Sequence, residues 1–438
     1  MATPAAVQQW TTDANEALSL SLIRAPEDKA SLWAREVYEG FHPTFTYPIF
    51  GEEEKIYGYK DLAMELKFAS GSLAHYLNVQ HSEKLPSTST VDDIEGMLSK
   101  FIPPDYYTDE KKFLERVEHD ALNFKPFGKK IYSYTRAATT LTKGKNVAIP
   151  QVLNPEDEET VDFEVYHVSS STWSTPGFRE FHRRMQLFVL LYIEGGSYIS
   201  ETEDTWEFAT LYEKRRRRSA PDVTTYHFVG YSTLYPFYCF PERVRMRISQ
   251  FLILPPYQQD GHGSALYTAI YQHVLASPSI AELTVEDPAE AFEDLRDRND
   301  LKMLIANDKF MREGFGPEAV STNGGKVPRT KRGKARPMRA GAGKMGPPAE
   351  RAWLEKWRTE LKIAGRQFNR LIEMLILKHM DPADERAQRS YRLQVKERLY
   401  RFNYEILMQL DKQDRQAKLE ETFQSVVADY KRILGHVL

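Results

Sequence analysis

Arg247-Ile248-Ser249-Gln250-Phe251-Leu252-Ile253-Leu254-Pro255-Pro256-Tyr257-Gln258-Gln259-Asp260-Gly261-His262-Gly263 is the stretch on which the reading of the whole chain turns. Arg247 to Leu254 is an apolar, β-branched run closed by a proline pair, the pattern of a buried strand. From Gly263 to Leu275 the apolar residues Leu266, Ile270 and Val274 return every four positions, the pattern of a helix. A strand therefore passes through Gln258, Gln259, Asp260, Gly261, His262 and Gly263 into a helix. Glycines let a backbone approach a ligand closely, and the first N–H groups of a helix have no partner inside it. An anion held there gains hydrogen bonds and a favourable helix dipole. The bland alternative is an ordinary strand–helix turn. The third glycine of a dinucleotide fingerprint and the Gly-Lys-Ser/Thr of a P-loop are both missing, which disfavours a nicotinamide enzyme and an NTPase.

Working outward, Phe178, Phe181, Met185, Phe188, Val189, Tyr192 and Ile193 predict one helix, started by Thr175-Pro176 and ended by Gly195-Gly196. Two strand-like runs follow, Trp206 to Tyr212 and Thr224 to Tyr235, with Lys214-Arg215-Arg216-Arg217-Arg218-Ser219 as their hairpin loop. Ile280 to Val285 is another short strand. Helix, hairpin, strand, glycine turn, helix and strand argue an α/β or α+β layer with a mixed sheet, and an α+β fold, a mixed sheet core flanked by helices, is expected. Nearer the start, Asp61 to Tyr76 reads as a helix through Leu62, Leu66 and Leu73, and Asp92 to Ile102 as another, stopped by Pro103-Pro104. Residues 1–147 are expected to form an N-terminal α/β domain and 148–315 the core. Residues 316–349 are expected to be a disordered basic linker, and 350–438 a C-terminal helical bundle. Ser321 to Pro348 carries eight Lys or Arg, no acid and no hydrophobic period. In the tail, Trp353, Trp357, Leu361, Phe368, Leu371 and Leu375 form one stripe. Leu419, Phe423, Val427, Tyr430 and Leu434 form another.

A length of 438 residues suggests two to four domains, and 41% hydrophobic content is enough for real cores. The net charge of -3 means that any attraction to an acidic polymer must be local. Cys239 is the single cysteine, which points to a reducing compartment and to a core role for that thiol. The first twenty residues show no secretory pattern, and the longest apolar run, Leu187 to Ile193, is too short to cross a bilayer, so a soluble intracellular protein is expected. His262 has no ligand-spaced partner, so no metal is expected.

Several side chains could carry chemistry. Glu286 and Asp287 sit at the end of a short strand, placed for proton transfer or merely for an Asp-Pro turn. Glu194 follows a helix C-terminus, which disfavours its charge and suits a general base, or else it is a frayed acid facing water. Trp206, Tyr231, Tyr235, Phe237 and Tyr238 could wall a channel for a lysine stem or simply pack. The acidic run Glu52, Glu53 and Glu54 could receive a basic peptide or be a solvated loop. Arg215 to Arg218 and the 326–344 segment could bind phosphate, direct nuclear import, or be solvated.

The 247–263 stretch closely resembles the acetyl-CoA motif of the GNAT superfamily, and specifically that of the catalytic subunits of type B histone acetyltransferases. Phe50-Gly51-Glu52, Tyr57-Gly58-Tyr59-Lys60, Phe124-Lys125-Pro126-Phe127-Gly128, Val229-Gly230-Tyr231, Glu286-Asp287-Pro288 and Arg389-Ser390-Tyr391-Arg392-Leu393 extend the likeness over nearly the whole chain outside 320–348. The resemblance implies a GNAT-type core that uses acetyl-CoA. Backbone groups of Phe251, Leu252 and Ile253 would hold the pantetheine arm, and Gln258, Gln259, Asp260, Gly261, His262, Gly263 and Ser264 would wrap the pyrophosphate. Glu286 would be the general base, with Glu194 and Asp287 beside it. Glu52, Glu53, Glu54, Trp206, Tyr235, Pro236 and Phe237 would meet the tail of newly made histone H4. A WD-repeat histone-binding subunit, work in chromatin assembly, and residence in nucleus and cytoplasm are implied too. The chemistry is consistent with this: a lysine amine, with a reference pKa of about 10.4, must lose a proton before attacking a thioester. An N–H near Leu252–Leu254 is the expected oxyanion donor. A GNAT acting on another amine, such as a polyamine, and a histone-binding scaffold without activity are the rival readings.

Overall fold

A computed structural model describes residues 9–32, 36–86, 90–137, 160–217, 220–316 and 343–437. It divides into two compact units, the first comprising Met1–Phe237 and Arg247–His273, the second Tyr238–Met246 and Val274–Leu438.

The strands are β1 (Thr11–Asp13), β2 (Leu18–Ile23), β3 (Lys55–Tyr57), β4 (Tyr59–Lys60), β5 (Ala63–Ala69), β6 (His75–Gln80), β7 (Glu83–Lys84), β8 (Lys129–Ala137), β9 (Thr160–Val168), β10 (Glu207–Arg216), β11 (Thr224–Cys239), β12 (Arg243–Ile253) and β13 (Ile280–Val285). The helices used below are α1 (Glu110–Asn123), α2 (Phe178–Met185), α3 (Leu187–Tyr192), α4 (His262–Ala276), α5 (Glu290–Ala306), α6 (Asp308–Phe315), α7 (Arg351–Glu360), α8 (Gly365–His379), α9 (Glu385–Phe402) and α10 (Lys412–Val437). A six-stranded sheet runs in the order β13-β12-β11-β10-β9-β8 and a three-stranded one in the order β2-β5-β6. In the smaller sheet β2 and β5 are parallel while β5 and β6 are antiparallel, so both small and large sheets confirm the expected α+β class.

In the first unit, the stretch expected to be a helix from Asp61 to Tyr76 is instead β5, a turn and β6. The reason is in the alternation: Met64, Leu66 and Phe68 are all buried while Glu65 and Lys67 are half-exposed, a period of two. Helix α1 covers this sheet, with Phe113 stacked 5.7 Å from Tyr76. The helix expected over 178–193 is broken at Gln186 into α2 and α3, and Gly177, not Thr175, occupies its N-cap with φ 84°. Phe188 on α3 stands between Phe68 of the small sheet, 4.8 Å away, and Phe228 of the large one, 6.4 Å away. The two sheets thus share one core.

The basic run that begins at Lys214 is not simply a hairpin loop. Lys214 to Arg216 continue the strand, and the guanidinium groups of Arg215 and Arg217 are committed to carboxylates. Arg215 pairs with Glu213 and Glu36, and Arg217 with Asp28 at 3.0 Å and Glu118 at 2.9 Å. Neither is placed for import or phosphate binding; Arg218 lies outside the described residues.

In the second unit, β13 joins the opening of β12, where Val244 donates to the Ser279 carbonyl at 2.8 Å. Glu282 on β13 ties Arg245 at 2.6 Å to Arg358 of α7 at 2.8 Å. Beyond α7 the tail is helical as expected, with Trp353, Trp357, Phe368, Leu371, Leu375, Phe423, Tyr430 and Leu434 all buried. Most of the basic linker lies outside the described residues, but its end is built: Met345 is 1% exposed, and its N–H bonds to the Gly314 carbonyl at 2.9 Å. Cys239, expected in the core, is only half-buried, because the β11–β12 hairpin tip leaves neighbouring Tyr238 and Phe240 in solvent. No helix among the described residues is long and apolar enough to cross a membrane.

Two predictions follow from this core. Phe188→Ala should lower stability to urea by about 3–5 kcal/mol, because it empties the space between the two sheets. Burial also holds four histidines neutral: His75 and His182 fall to about 4, His262 to about 3, and His227 well below its ordinary value. The unfolded chain binds protons at these sites from about pH 6.5 downward and the folded one does not, so stability falls on acidification. Each histidine should contribute on the order of 1 kcal/mol of loss per pH unit below about 6.5. Urea midpoints measured between neutral and mildly acidic pH check this; a flat profile would contradict it.

Candidate functional site

The glycine turn is where the sequence placed it. Strand β12 ends at Ile253, Pro255–Tyr257 form one 3-10 turn, and α4 opens at His262. Gln259 has φ 68° and Gly261 φ 83°, so two of the three residues before α4 are left-handed. The helix's own ladder begins when Ala265 N–H bonds to the Gly261 carbonyl at 3.1 Å. Gln258 and Gln259 are exposed, and the Gln258 amide folds back onto the Ile253 carbonyl at 2.8 Å, tying the turn to its strand. A Cβ on Gly261 would stand 3.1 Å from Nη2 of Arg136, a residue of β8. The turn therefore has a backbone cradle, a helix start and a guanidinium side by side. Sequence reading missed Arg136 because it lies more than a hundred residues upstream; no local pattern marks it.

Two buried clusters hold this turn. His262 is 2% exposed, shares a 2.7 Å hydrogen bond with the Tyr134 hydroxyl, and lies 4.4 Å from the Phe163 ring. Burial, then the nearby Arg136 charge, drive its pKa down to about 3, so it is a neutral anchor and no proton carrier. On the other side Tyr257 donates to Oε2 of Glu213 at 2.9 Å. Glu213 is wholly buried and receives both terminal nitrogens of Arg24, at 3.0 and 2.7 Å, and Nε of Arg215. Burial alone would raise the Glu213 pKa; Arg215 and Arg24 overcome that and hold it well below the carboxylate range. Arg24 also reaches the Tyr257 oxygen at 3.0 Å and lies 4.1 Å over the Tyr38 ring. The signal for this cluster was present: Leu211, Glu213 and Arg215 alternate along β10, with Arg217 just past its end, which a hairpin-loop reading hides.

The strand before the turn pairs closely with β11. A Cβ at Gly230 would fall 2.3 Å from the Leu252 carbonyl, so only glycine permits this approach. The register of β10 on β11 shifts between Leu211 and Tyr212, leaving Val229 unpaired with β10, and Leu254 N–H bonds to the Val229 carbonyl at 2.9 Å. Leu254 is therefore removed from the expected oxyanion donors, since its N–H is engaged. Phe251 is half-buried, Leu252 and Ile253 buried.

The expected substrate residues fall into two groups. Trp206 and Tyr235 meet edge to face at 4.8 Å, Tyr235 and Phe237 at 4.7 Å, and Arg247 lies 4.3 Å over Phe237. Pro236 is half-buried between them, whereas Tyr231 is fully buried. The Trp206 indole N–H is buried without a hydrogen-bond partner among the described residues. Glu52 and Glu53 are exposed, but Glu54 accepts from the backbone N–H groups of Thr46 at 2.6 Å and Tyr47 at 3.0 Å and from Asn15 at 2.9 Å. Burial would raise its pKa; these bonds more than reverse that and lower it.

Of the acids, Glu194 is exposed two residues past α3, and the neighbouring Gly195 N–H bonds to the Tyr47 hydroxyl at 2.7 Å. Glu286 and Asp287 follow β13 in the second unit, both exposed, and Asp287 has φ 30°, an uncommon backbone for a residue with a side chain. Ser264 and Gly263 are half-buried in the first turn of α4, and Asp260 half-buried before it.

The family model described as histone acetyl transferase HAT1 N-terminus matches residues 10–194, and one described as fungal HAT1, C-terminal, matches 342–381. The chain is 49% identical to the histone acetyltransferase type B catalytic subunit of Cryptococcus neoformans, over 98% of both chains. It is 42% identical to that of Mycosarcoma maydis, over 97% of this chain and 88% of the relative. It is 32% identical to that of Kluyveromyces lactis, over 98% and 93%. Among solved structures, an aminoglycoside acetyltransferase from a soil metagenome in complex with sisomicin is similar over 31% of this chain and 86% of its own, at 14% identity and a TM-score of 0.23. With near full-length identity to several such subunits, the chain belongs to the family of histone acetyltransferase type B catalytic subunits.

Proposed function

We propose that this enzyme transfers the acetyl group of acetyl-CoA to a lysine in the tail of free histone H4, by direct attack on the thioester. The observation that carries the reading is the left-handed turn at Gln259 and Gly261, opening α4 beside Arg136. This supports a pyrophosphate as ligand, because a helix start and the Arg136 cation lie side by side where a side chain at 261 would intrude. Gln258 to Ser264 would hold the pyrophosphate, with Arg136 as a further cation, and Phe251 to Ile253 would align the pantetheine arm. When bound, acetyl-CoA supplies an activated acyl group; the rest falls to side chains of this chain. Trp206, Tyr235, Pro236 and Phe237 would flank the aliphatic stem of a lysine. Glu52 and Glu53 would attract a Lys/Arg-rich tail. Glu286 would accept the proton of the lysine ammonium, with Asp287 and Glu194 as alternates. A WD-repeat subunit and a role in nucleus and cytoplasm belong to the same proposal.

Incubation of the enzyme with acetyl-CoA and either an H4 tail peptide or spermidine tests the substrate: acetyl-lysine by mass spectrometry on the peptide is expected, and preference for spermidine would sink the histone reading. Glu286→Gln should lower kcat by roughly 10²-fold or more while acetyl-CoA affinity stays nearly constant. Full kcat in that variant would remove Glu286 from the role, and partial loss would divide it with Asp287 or Glu194. Arg136→Gln should weaken acetyl-CoA about tenfold, the scale of one charge-assisted hydrogen bond, and leave acetyl-pantetheine, which has no phosphate, unchanged. Equal weakening of both ligands would assign Arg136 to structure alone.

A further inference from the structure

The helical tail holds a groove that the acetyl-transfer chemistry does not use. Helices α8, α9 and α10 line a cavity of about 910 Å³. Its apolar side chains include Leu377, Phe423 and Leu434. Tyr391, which also lines it, is 2% exposed, and its hydroxyl has no hydrogen-bond partner among the described residues.

The rim is cationic. Lys378, Arg389 and Lys431 line the groove, and none has a carboxylate partner among the described residues. Several other cations of the same helices are matched by acids. Arg370 pairs with Asp297 at 2.7 Å, Arg398 with Glu373 at 2.7 Å, and Arg432 with Asp294 at 2.5 Å. Arg392 on the rim is already matched by Glu420, and Glu385 is the single acid among the lining residues. Burial lowers the Lys378 pKa, with no neighbouring carboxylate to oppose it. The stretch Arg389-Ser390-Tyr391-Arg392, conspicuous in the sequence yet without a part in the proposed reaction, supplies three of the lining side chains.

We infer that this groove docks an acidic amphipathic helix of a partner protein. Its apolar face would cover Leu377, Phe423 and Leu434, and its flanking carboxylates would meet Lys378, Arg389 and Lys431. Charge complementarity selects this occupant: an apolar floor alone would take any hydrophobe, but three unmatched cations around it favour one that brings carboxylates. A volume of about 910 Å³ accommodates several side chains, which is more than a lone inorganic anion requires.

Fluorescence anisotropy with the full-length protein tests it. The probe is a labelled helical peptide of about 18 residues, five turns, with Leu at i, i+3, i+4 and i+7 and Glu on both flanks. A second probe carries Lys in place of Glu. Saturable binding of the Glu peptide, weakening with salt, no binding of the Lys peptide, and at least a tenfold loss in the double variant Arg389→Glu/Lys431→Glu are expected. That variant should keep wild-type acetyl transfer to a histone peptide, which shows that it is folded. No binding of the Glu peptide, equal binding of both peptides, or no change on charge reversal would overturn the proposal. So would sedimentation showing that the wild-type protein dimerises and the double variant does not, since the groove would then be a self-association face. Displacement of the Glu peptide by oleate at lower concentration than the peptide itself requires would assign the groove to a fatty acid instead.

Discussion

A carboxylate that is completely buried, Glu213, anchors the loop that leads into the glycine turn of the first unit. It is gripped by Arg24 from the end of β2 and by Arg215 from its own strand, and it accepts the hydroxyl of Tyr257, one residue before the glycine turn. Removing one member of such a pair leaves an uncompensated charge in the interior, a penalty of about 3–5 kcal/mol. The cluster therefore does more than add stability. It couples two distant stretches of chain, at Arg24 and at Glu213–Arg215, to one loop, and the loop is held while the charges stay matched.

The opposite side of the turn is held by weaker but equally buried contacts. His262 is neutral, bonded to Tyr134 and packed on Phe163, so α4 starts at a fixed point against β8 and β9. A neutral imidazole here leaves the positive charge near the turn to Arg136. Between these two anchors the backbone adopts left-handed angles at Gln259 and Gly261, a conformation that needs external support. Pre-ordering of this kind lets the free energy of ligand binding go into affinity and not into organising the loop.

Much of this was legible in the sequence. The strand, the proline pair, the glycine turn and the following helix were readable because each has a local signature, and so was the helical tail with its Trp353/Trp357 stripe. Two kinds of feature were not. Met64, Leu66 and Phe68 satisfy a strand as well as they neighbour a helical set, and only pairing with β2 and β6 decides between them. Arg24, Glu213 and Arg136 are charged residues far apart in sequence, and charge read along a chain suggests solvent. The burial of Arg24 and Glu213 and the placing of Arg136 beside the turn are tertiary facts: the strand continues through Lys214–Arg216 because carboxylates from elsewhere arrive to meet it. Likewise, a bulge in β11 takes up the Leu254 N–H, which sequence spacing alone would leave available.

On the proposed reading, the buried Glu213 cluster, acting through Tyr257, shapes the turn that would receive acetyl-CoA. Isothermal calorimetry of acetyl-CoA binding to Tyr257→Phe, which keeps the ring and deletes only the hydroxyl, tests it most directly. The expected result is a protein whose near-ultraviolet circular dichroism is unchanged but whose affinity for acetyl-CoA is about tenfold lower, the scale of a hydrogen bond to a charged group. A variant that is folded and binds acetyl-CoA as tightly as the wild type would contradict it.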